Sequence, residues 1–389
     1  MIKDYEFYMP TKVISGVGKL EVIGEEMKQF KKNKILIVTD KGVIKAGIVD
    51  KVVSRLKEAG FSDIQIYDNV APNPRTTEVN EGYEFAKKHG SEILLSVGGG
   101  SPTDTAKGIG VLMSNGGIIE DYEGFDLVPK KLPPFVAVPT TVGTGSEVTG
   151  WAVITDLKRM FKMSVADPKL YPDIAILDPD MVSSLPSKII ASTGMDALSH
   201  AIEGYVCKIA TPVSDAVALY AIELIGKNIR EAVYGDSYDA KANMQLGSML
   251  AGIAIAETDV AGVHCMGEAL GGMYDTPHGI ANASVLPYVM KFSCIADMEK
   301  YAKIAECLGV DTKDMTLREA AEQSAIVVKQ LNDDMQIPSL QEIGVKPEDF
   351  QKLSDKAAAN MSNPDNPRDA TSEDYFKLFE DAYAYNSRL

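Results

Sequence analysis

Cysteine is scarce. The four thiols, Cys207, Cys265, Cys294 and Cys307, include no C-x-x-C pair, which excludes a disulfide framework and a thiolate zinc cage and fits a reducing cytosol. Each reads as a small buried apolar residue. Long apolar runs are missing as well: stretches such as Ile93–Val97 are too short to cross a bilayer. The opening Met1-Ile-Lys-Asp-Tyr-Glu-Phe7 carries acids and no apolar segment, so it reads as neither a signal nor a transit peptide, and a cytoplasmic location is expected. Positive charge is in deficit, with 39 basic against 55 acidic residues and a formal net charge of −16. With no basic run to offset that field, a nucleic-acid partner is excluded. Tryptophan occurs once, at Trp151, and histidine four times.

What is present is an ordinary globular composition, 45% apolar and 24% charged over 389 residues, long enough for two cores. The first half alternates short apolar runs (Lys34–Asp40, Ile64–Tyr67, Glu92–Val97, Phe135–Val138) with amphipathic stretches such as Val49–Ala59 and Thr77–His89. That pattern predicts a parallel sheet covered on both faces. Trp151–Thr155 and Phe161–Val165, flanking Asp156-Leu-Lys-Arg159, predict a hairpin. From Ser187 onward the pattern is helical, and Asn363–Arg368 reads as a loop between late helices. The expectation is an α/β Rossmann-like domain over 1–185 and an all-helical domain over 186–389.

The strand ending at Val97 runs straight into Gly98-Gly-Gly-Ser-Pro-Thr-Asp-Thr-Ala-Lys107. Glycines allow close backbone approach, Pro102 suits a first helical turn, and the free N–H groups of such a turn suit a diphosphate. A tight turn and nothing more would look the same. Asp40, at the end of a neighbouring strand, suits a ribose and would repel a 2′-phosphate, which favours NAD over NADP. Pro139-Thr-Thr-Val-Gly-Thr-Gly-Ser-Glu147 offers hydroxyls and glycines to a nucleotide, or a Ser/Thr turn bonded to itself.

His89 stands where a helix ends and reads as a dipole-favoured or solvated residue. Asp196 and His200 are four apart and share a helical face. His264 falls early on a probable helix, and His278 follows that helix in a Thr-Pro-His-Gly turn. Together they suit a divalent metal with room for a substrate oxygen, iron(II), zinc, manganese, cobalt and nickel all tolerating such ligands. Each histidine singly is at home as a hydrogen-bonded core residue.

These motifs, in this order and over nearly the whole chain, resemble the iron-containing (group III) alcohol dehydrogenases. The carrying residues are Gly98-Gly-Gly-Ser-x-x-Asp-x-Ala-Lys107, Pro139-Thr-Thr-x-Gly-Thr-Gly-Ser-Glu147, Thr193-Gly-x-Asp-Ala-Leu-x-His-Ala-x-Glu203, His264 and Thr276-Pro-His-Gly279. The resemblance implies a Rossmann-like NAD domain, a helical domain and an active site in the cleft between them. It implies that Asp196, His200, His264 and His278 ligate one divalent metal, usually iron. It places Asp40, Gly98, Gly99, Gly100, Ser101, Asp104, Thr140, Thr141, Thr144, Ser146 and Lys162 around the cofactor, with Asn73 near the adenine or ribose. One position departs from the pattern: many members carry a second histidine four residues after the first metal histidine of this segment, and here it is Glu268. Either Glu268 takes over a proton relay, which would make it catalytic, or it supports a ligand. Glu203, three after His200, could orient that imidazole, although a helix-surface carboxylate is the plainer expectation.

The reaction so implied is hydride transfer between NAD and a small primary alcohol or aldehyde in a homodimer or larger homo-oligomer, the metal acting as a Lewis acid. Trp151 either walls the cleft or is a core aromatic. Two other readings stand beside it: a glycerol dehydrogenase or dehydroquinate synthase-like enzyme, and a non-catalytic NAD-binding protein.

Overall fold

The computed structural model describes residues 4–385. Two compact units divide the chain after Leu185: an α/β unit from Met9 to Leu185, and a helical unit from Pro186 onward that also takes the described residues ahead of Met9. Those first residues are tied to it by the Tyr8 N–H, which donates to the Glu257 carboxylate at 3.1 Å.

The α/β unit holds β1 (Lys12–Ser15), β2 (Lys34–Val38), β3 (Asp63–Tyr67), β4 (Ile93–Gly98), β5 (Gly124–Phe125), β6 (Phe135–Pro139), β7 (Trp151–Asp156), β8 (Phe161–Ala166) and β9 (Ile174–Leu177). Its helices are α1 (Ile23–Lys28), α2 (Lys41–Lys45), α3 (Ile48–Glu58), α4 (Thr76–His89) and α5 (Gly100–Asn115). The main sheet has the order β1-β9-β6-β4-β2-β3, and its strand pairs are parallel. Strand residues alternate between two cores, as a period of two requires. Ile35, Ile37, Ile93 and Leu95 join Val49, Val52 and Leu56 of α3 on one face. Leu36, Val38 and Leu94 join Val79 of α4 and Ile109 of α5 on the other. Both faces are therefore covered, which is why β2 and β4 read as nearly unbroken apolar runs. The predicted hairpin is antiparallel β7–β8, and with β5 it forms a second, three-stranded sheet. His89 closes α4 as expected, its Nε2 lying 2.6 Å from Asp63 Oδ1.

The helical unit comprises α6 (Ser187–Val206), α7 (Pro212–Tyr234), α8 (Tyr238–Ala256), α9 (Gly262–Tyr274), α10 (His278–Ser293), α11 (Met298–Cys307), α12 (Leu317–Asp334), α13 (Leu340–Ile343), α14 (Phe350–Ala358) and α15 (Ser372–Tyr383). Helix α6 is buried continuously from Gly194 to Val206, the mark of a helix enclosed by others, and it packs on α7, α8 and α10. Asn363–Asp365 forms a short 3-10 turn within the loop expected there. None of the described helices is long and apolar enough to cross a membrane.

Candidate metal and cofactor sites

Asp196 and His200 lie one turn apart on α6, His264 sits in the first turn of α9, and His278 opens α10. One ligand atom from each lies within 4.8 Å of all the others. Asp196, His200 and His264 are buried and His278 is partly so. The His200 and His264 rings stack at 4.7 Å between centroids, and His278 Nε2 is 3.8 Å from Asp196 Oδ1. Close helix packing makes this possible. A Cβ at Gly279 would sit 2.3 Å from the Ser192 carbonyl oxygen, so only glycine lets the start of α10 approach α6 this closely. His278, expected in a turn, in fact begins a helix.

Glu203 departs from the sequence reading. It is buried, not on the helix surface, and the ring it orients is His264, not His200: its Oε2 pairs with His264 Nδ1. Its Oε1 accepts from the N–H groups of Ala261 at 3.0 Å and Val263 at 2.7 Å, so Glu203 also caps α9. The physical reason lies in spacing: Asp196, His200 and Glu203 fall at i, i+4 and i+7, one stripe of α6, and that stripe is enclosed. Burial pushes the Glu203 carboxyl up to about 8 against the pull of these N–H donors. A carboxylate fixing one imidazole nitrogen leaves the other directed at a cation.

The donor set fits a divalent metal. Three imidazoles and a carboxylate meet in a buried space, and Asn282 Nδ2 lies 2.8 Å from Asp196 Oδ1, 2.9 Å from His264 Nε2 and 3.2 Å from His278 Nε2. An amide nitrogen has two hydrogens, so acceptors outnumber them, a situation a cation relieves. Glu268, one turn after His264 on α9, is outside this set; its Oε2 accepts from Asn360 Nδ2 at 2.6 Å.

In the α/β unit, Asp40, Gly98–Ser101 and Thr140–Thr144 gather at the carboxyl ends of the adjacent strands β2, β4 and β6. The chain leaves β2 toward β3 and leaves β4 toward β6, so the strand order reverses between Asp40 and Gly98, where open α/β sheets bind nucleotides. Asp40 caps α2, its Oδ1 accepting from Gly42 at 2.8 Å and Val43 at 3.0 Å. A Cβ at Gly99 would lie 2.8 Å from Thr141 Cγ2, and one at Gly100 2.7 Å from Thr144 Cγ2. The two loops interlock so tightly that a side chain at either glycine would fill the cradle, and α5 begins there, placing a helix N-terminus of the kind that suits a diphosphate. Lys162 and Asn73 also meet, Nζ to Oδ1 at 2.8 Å; Asn73 holds the left-handed conformation, φ 57°. Trp151 opens β7, packed edge-on against Phe125 at 5.2 Å.

Asp104 and Ser146 turn inward. Ser146 Oγ donates to Asp104 Oδ1 at 2.6 Å, and Asp104 Oδ2 accepts from Val153 N–H at 3.0 Å. Both are tied to Lys107, a residue of the Gly98–Lys107 motif. Lys107 is fully buried. Its Nζ donates to Ser146 O at 2.8 Å, Ser146 Oγ at 2.9 Å, Thr149 Oγ1 at 3.1 Å and Trp151 O at 2.6 Å. The signal available in the sequence was the one basic residue of α5, set between Ala106 and Gly108.

Residues 10–179 match the family described as "Iron-containing alcohol dehydrogenase" and residues 190–383 the "Fe-containing alcohol dehydrogenase family, C-terminal". The chain is 40% identical to 1,3-propanediol dehydrogenase of Citrobacter freundii over 97% of its length and 99% of the relative's. It is 40% identical to NAD-dependent methanol dehydrogenase of Bacillus methanolicus over 97% and 99%. A solved 1,3-propanediol oxidoreductase superposes with a TM-score of 0.94 at 38% identity, covering 98% of this chain and 100% of that one. The chain belongs to the iron-containing alcohol dehydrogenase family, and is an oxidoreductase with that family's fold.

Proposed function

We propose that this enzyme interconverts small primary alcohols and aldehydes with NAD, using one divalent cation, iron by preference, held by Asp196, His200, His264 and His278. The observation that carries the reading is the convergence of those four ligand atoms within 4.8 Å. Zinc, manganese, cobalt and nickel suit the same donors. Asp40 favours NAD over NADP, since its carboxylate would repel a 2′-phosphate. Gly98, Gly99, Gly100, Ser101, Thr140, Thr141 and Thr144 would line the diphosphate and ribose, Lys162 and Asn73 would reach the ribose or adenine, and Asp104 and Ser146 would hold the loop that bears the threonines. A cytoplasmic homodimer or larger homo-oligomer completes the proposal.

When bound, the cation would supply Lewis acidity toward an alcohol or carbonyl oxygen, and the nicotinamide would carry the hydride. The chain's own part is electrostatic and positional. Asp196 brings one negative charge and the imidazoles none, so this ligand set would leave a divalent cation with a net positive charge and preserve its Lewis acidity. Glu203 fixes the tautomer of His264, with the proton on Nδ1 and the lone pair on Nε2. Glu268 stands one turn from His264 and is the candidate to carry a proton away.

The test is NAD-linked oxidation of ethanol, butanol and 1,3-propanediol by chelator-stripped protein titrated anaerobically with Fe(II). Activity should rise in step with bound iron to about one per chain, as one ligand set implies. Full activity in the stripped protein would refute the cation's role, and bound iron without turnover on any alcohol would refute the substrate class.

A further inference from the structure

We propose that Asn282 is a positioning residue of the cation site, holding the Asp196 carboxylate in place and gathering the imidazoles of His264 and His278 before a cation arrives. The inference rests on the cation reading above. Asn282 follows His278 by four residues on α10 and shares its face. It is fully buried. Its Nδ2 reaches three of the four ligand residues, which come from α6, α9 and α10: Asp196 Oδ1 at 2.8 Å, His264 Nε2 at 2.9 Å and His278 Nε2 at 3.2 Å.

The two amide hydrogens divide unequally among these acceptors. The bond to Asp196 goes to a carboxylate, is the shortest and is charge-assisted. A carboxylate has lone pairs enough to keep this donor and still offer an oxygen to a cation. The imidazoles differ. His264 engages Nδ1 with Glu203, so its Nε2 has a single lone pair, and that lone pair serves either the amide or a cation. Asn282 is thus a permanent partner of Asp196 and a temporary partner of the histidines. Being neutral, it gathers the lone pairs without the cost of an extra buried charge.

The other end of the amide shows why it stays put. Asn282 Oδ1 is buried with no hydrogen-bond partner among the described residues, and it lies against Gly267. A Cβ added there would sit 1.8 Å from Oδ1 and 3.0 Å from Cγ. Gly267 is three residues after His264 on α9, so the amide is wedged between the backbone of the helix carrying one ligand and the carboxylate of another. A side chain at 267 would push the amide off Asp196 without touching any ligand.

The experiment is Co2+ binding to metal-stripped full-length protein by competition with a chromophoric chelator, with the visible Co2+ spectrum of each complex and the thermal midpoint of each metal-free protein. Asn282→Ala removes the donor. Asn282→Leu removes it while filling much of the same volume, and serves if the alanine variant folds poorly. Gly267→Ala displaces the amide indirectly. Each should lose about tenfold or more in Co2+ affinity, the range seen when a partner of a metal ligand is removed, with an altered Co2+ spectrum that a purely structural role would leave unchanged. Wild-type affinity within twofold and an unchanged spectrum in the Asn282 variants would overturn the proposal. Tighter binding by Asn282→Ala would also overturn it, since the amide would then be only a competitor. Failure of the wild type itself to bind Co2+ would instead remove the cation reading on which the proposal stands.

Discussion

Glu203 on α6 and His264 on α9 form a buried carboxylate–imidazole pair, and the second Glu203 oxygen caps the helix on which His264 stands. One residue thus fixes both the ring and the backbone that carries it. The two tasks separate by substitution. Glu203→Gln keeps an oxygen for the Ala261 and Val263 N–H groups but replaces the oxygen that pairs with His264 Nδ1 by an N–H donor. It should fold with a near wild-type melting temperature while losing roughly 10–100-fold in metal affinity. Glu203→Ala leaves those buried N–H groups without an acceptor and should cost a further ~2–4 kcal/mol of stability. Chelator competition and thermal melts read the two effects, and equal metal affinity in wild type and Glu203→Gln would refute the orienting role.

Lys107 performs a comparable task in the other unit. Its ammonium lies 4.0 Å from Asp104 Oδ1 and bonds the loop that carries Thr140, Thr141 and Thr144 through Ser146. Burial pulls the Lys107 amine down to about 8 and pushes the Asp104 carboxyl up. Lys107→Met should leave Asp104 without its counter-charge and the Ser146 and Trp151 carbonyls without this donor, costing about 3–5 kcal/mol. The KM for NAD should rise as the loop loosens, while metal content stays at the wild-type level because the ligands belong to the helical unit. A melting temperature and KM equal to wild type would show that the loop holds its shape without the lysine.

How far the sequence could lead depended on the range of each interaction. The sheet was legible because β2 and β4, buried on both faces, spell out their burial as Ile35–Val38 and Ile93–Val97. The candidate metal ligands were legible as residue types, and Asp196 with His200 as a helical pair. In the sequence only resemblance ties them to His264 and His278, since spacing across separate helices carries no such information. The partners that make the site precise were less legible. Glu203 looked like a surface carboxylate because its acceptor role depends on where α9 begins. Asn282 is an unremarkable asparagine until α6 and α9 are placed beside it. Lys107 sat inside a quoted motif, but its acceptors Thr149 and Trp151 lie far along the chain, so nothing local pointed to a clamp.

Asp259 precedes α9 and should give the helical unit a pH dependence. Its Oδ1 accepts from the Val260 N–H at 2.7 Å and from Ser362 Oγ at 3.0 Å. Burial pushes the carboxyl up from an ordinary 3.8 to about 7, with the charges of Asp365 and Glu268 adding to the effect. The folded protein keeps this proton between about pH 4 and 7, where the unfolded chain has lost it. Stability therefore falls as pH rises through that window. Asp259→Asn keeps the oxygen acceptor and never ionises. It should be more stable than wild type at pH 8 by roughly 1–3 kcal/mol, with the gain vanishing near pH 4. Thermal melts at the two pH values measure this, and a gain of equal size at both would rule out ionisation as its source.

Glu268 stands one turn beyond His264 on α9, its Oε2 bonded to Asn360. Two roles make opposite predictions. As a proton relay, Glu268 must ionise during turnover, and Glu268→Gln should flatten one limb of the pH–kcat profile and slow alcohol oxidation by about 10²-fold, the scale of general acid–base assistance. As a mere support, it needs only an acceptor oxygen, which the glutamine amide still offers to Asn360, so kcat and its pH dependence should stay as in wild type. The side chain is half-buried and shares a helix face with His264 of the candidate metal site, which favours the relay. Glu268→His provides the second comparison: under the relay role it restores activity with the limb moved toward the histidine range near pH 6.5. An unchanged profile in Glu268→Gln, whatever the histidine variant does, would assign Glu268 to support alone.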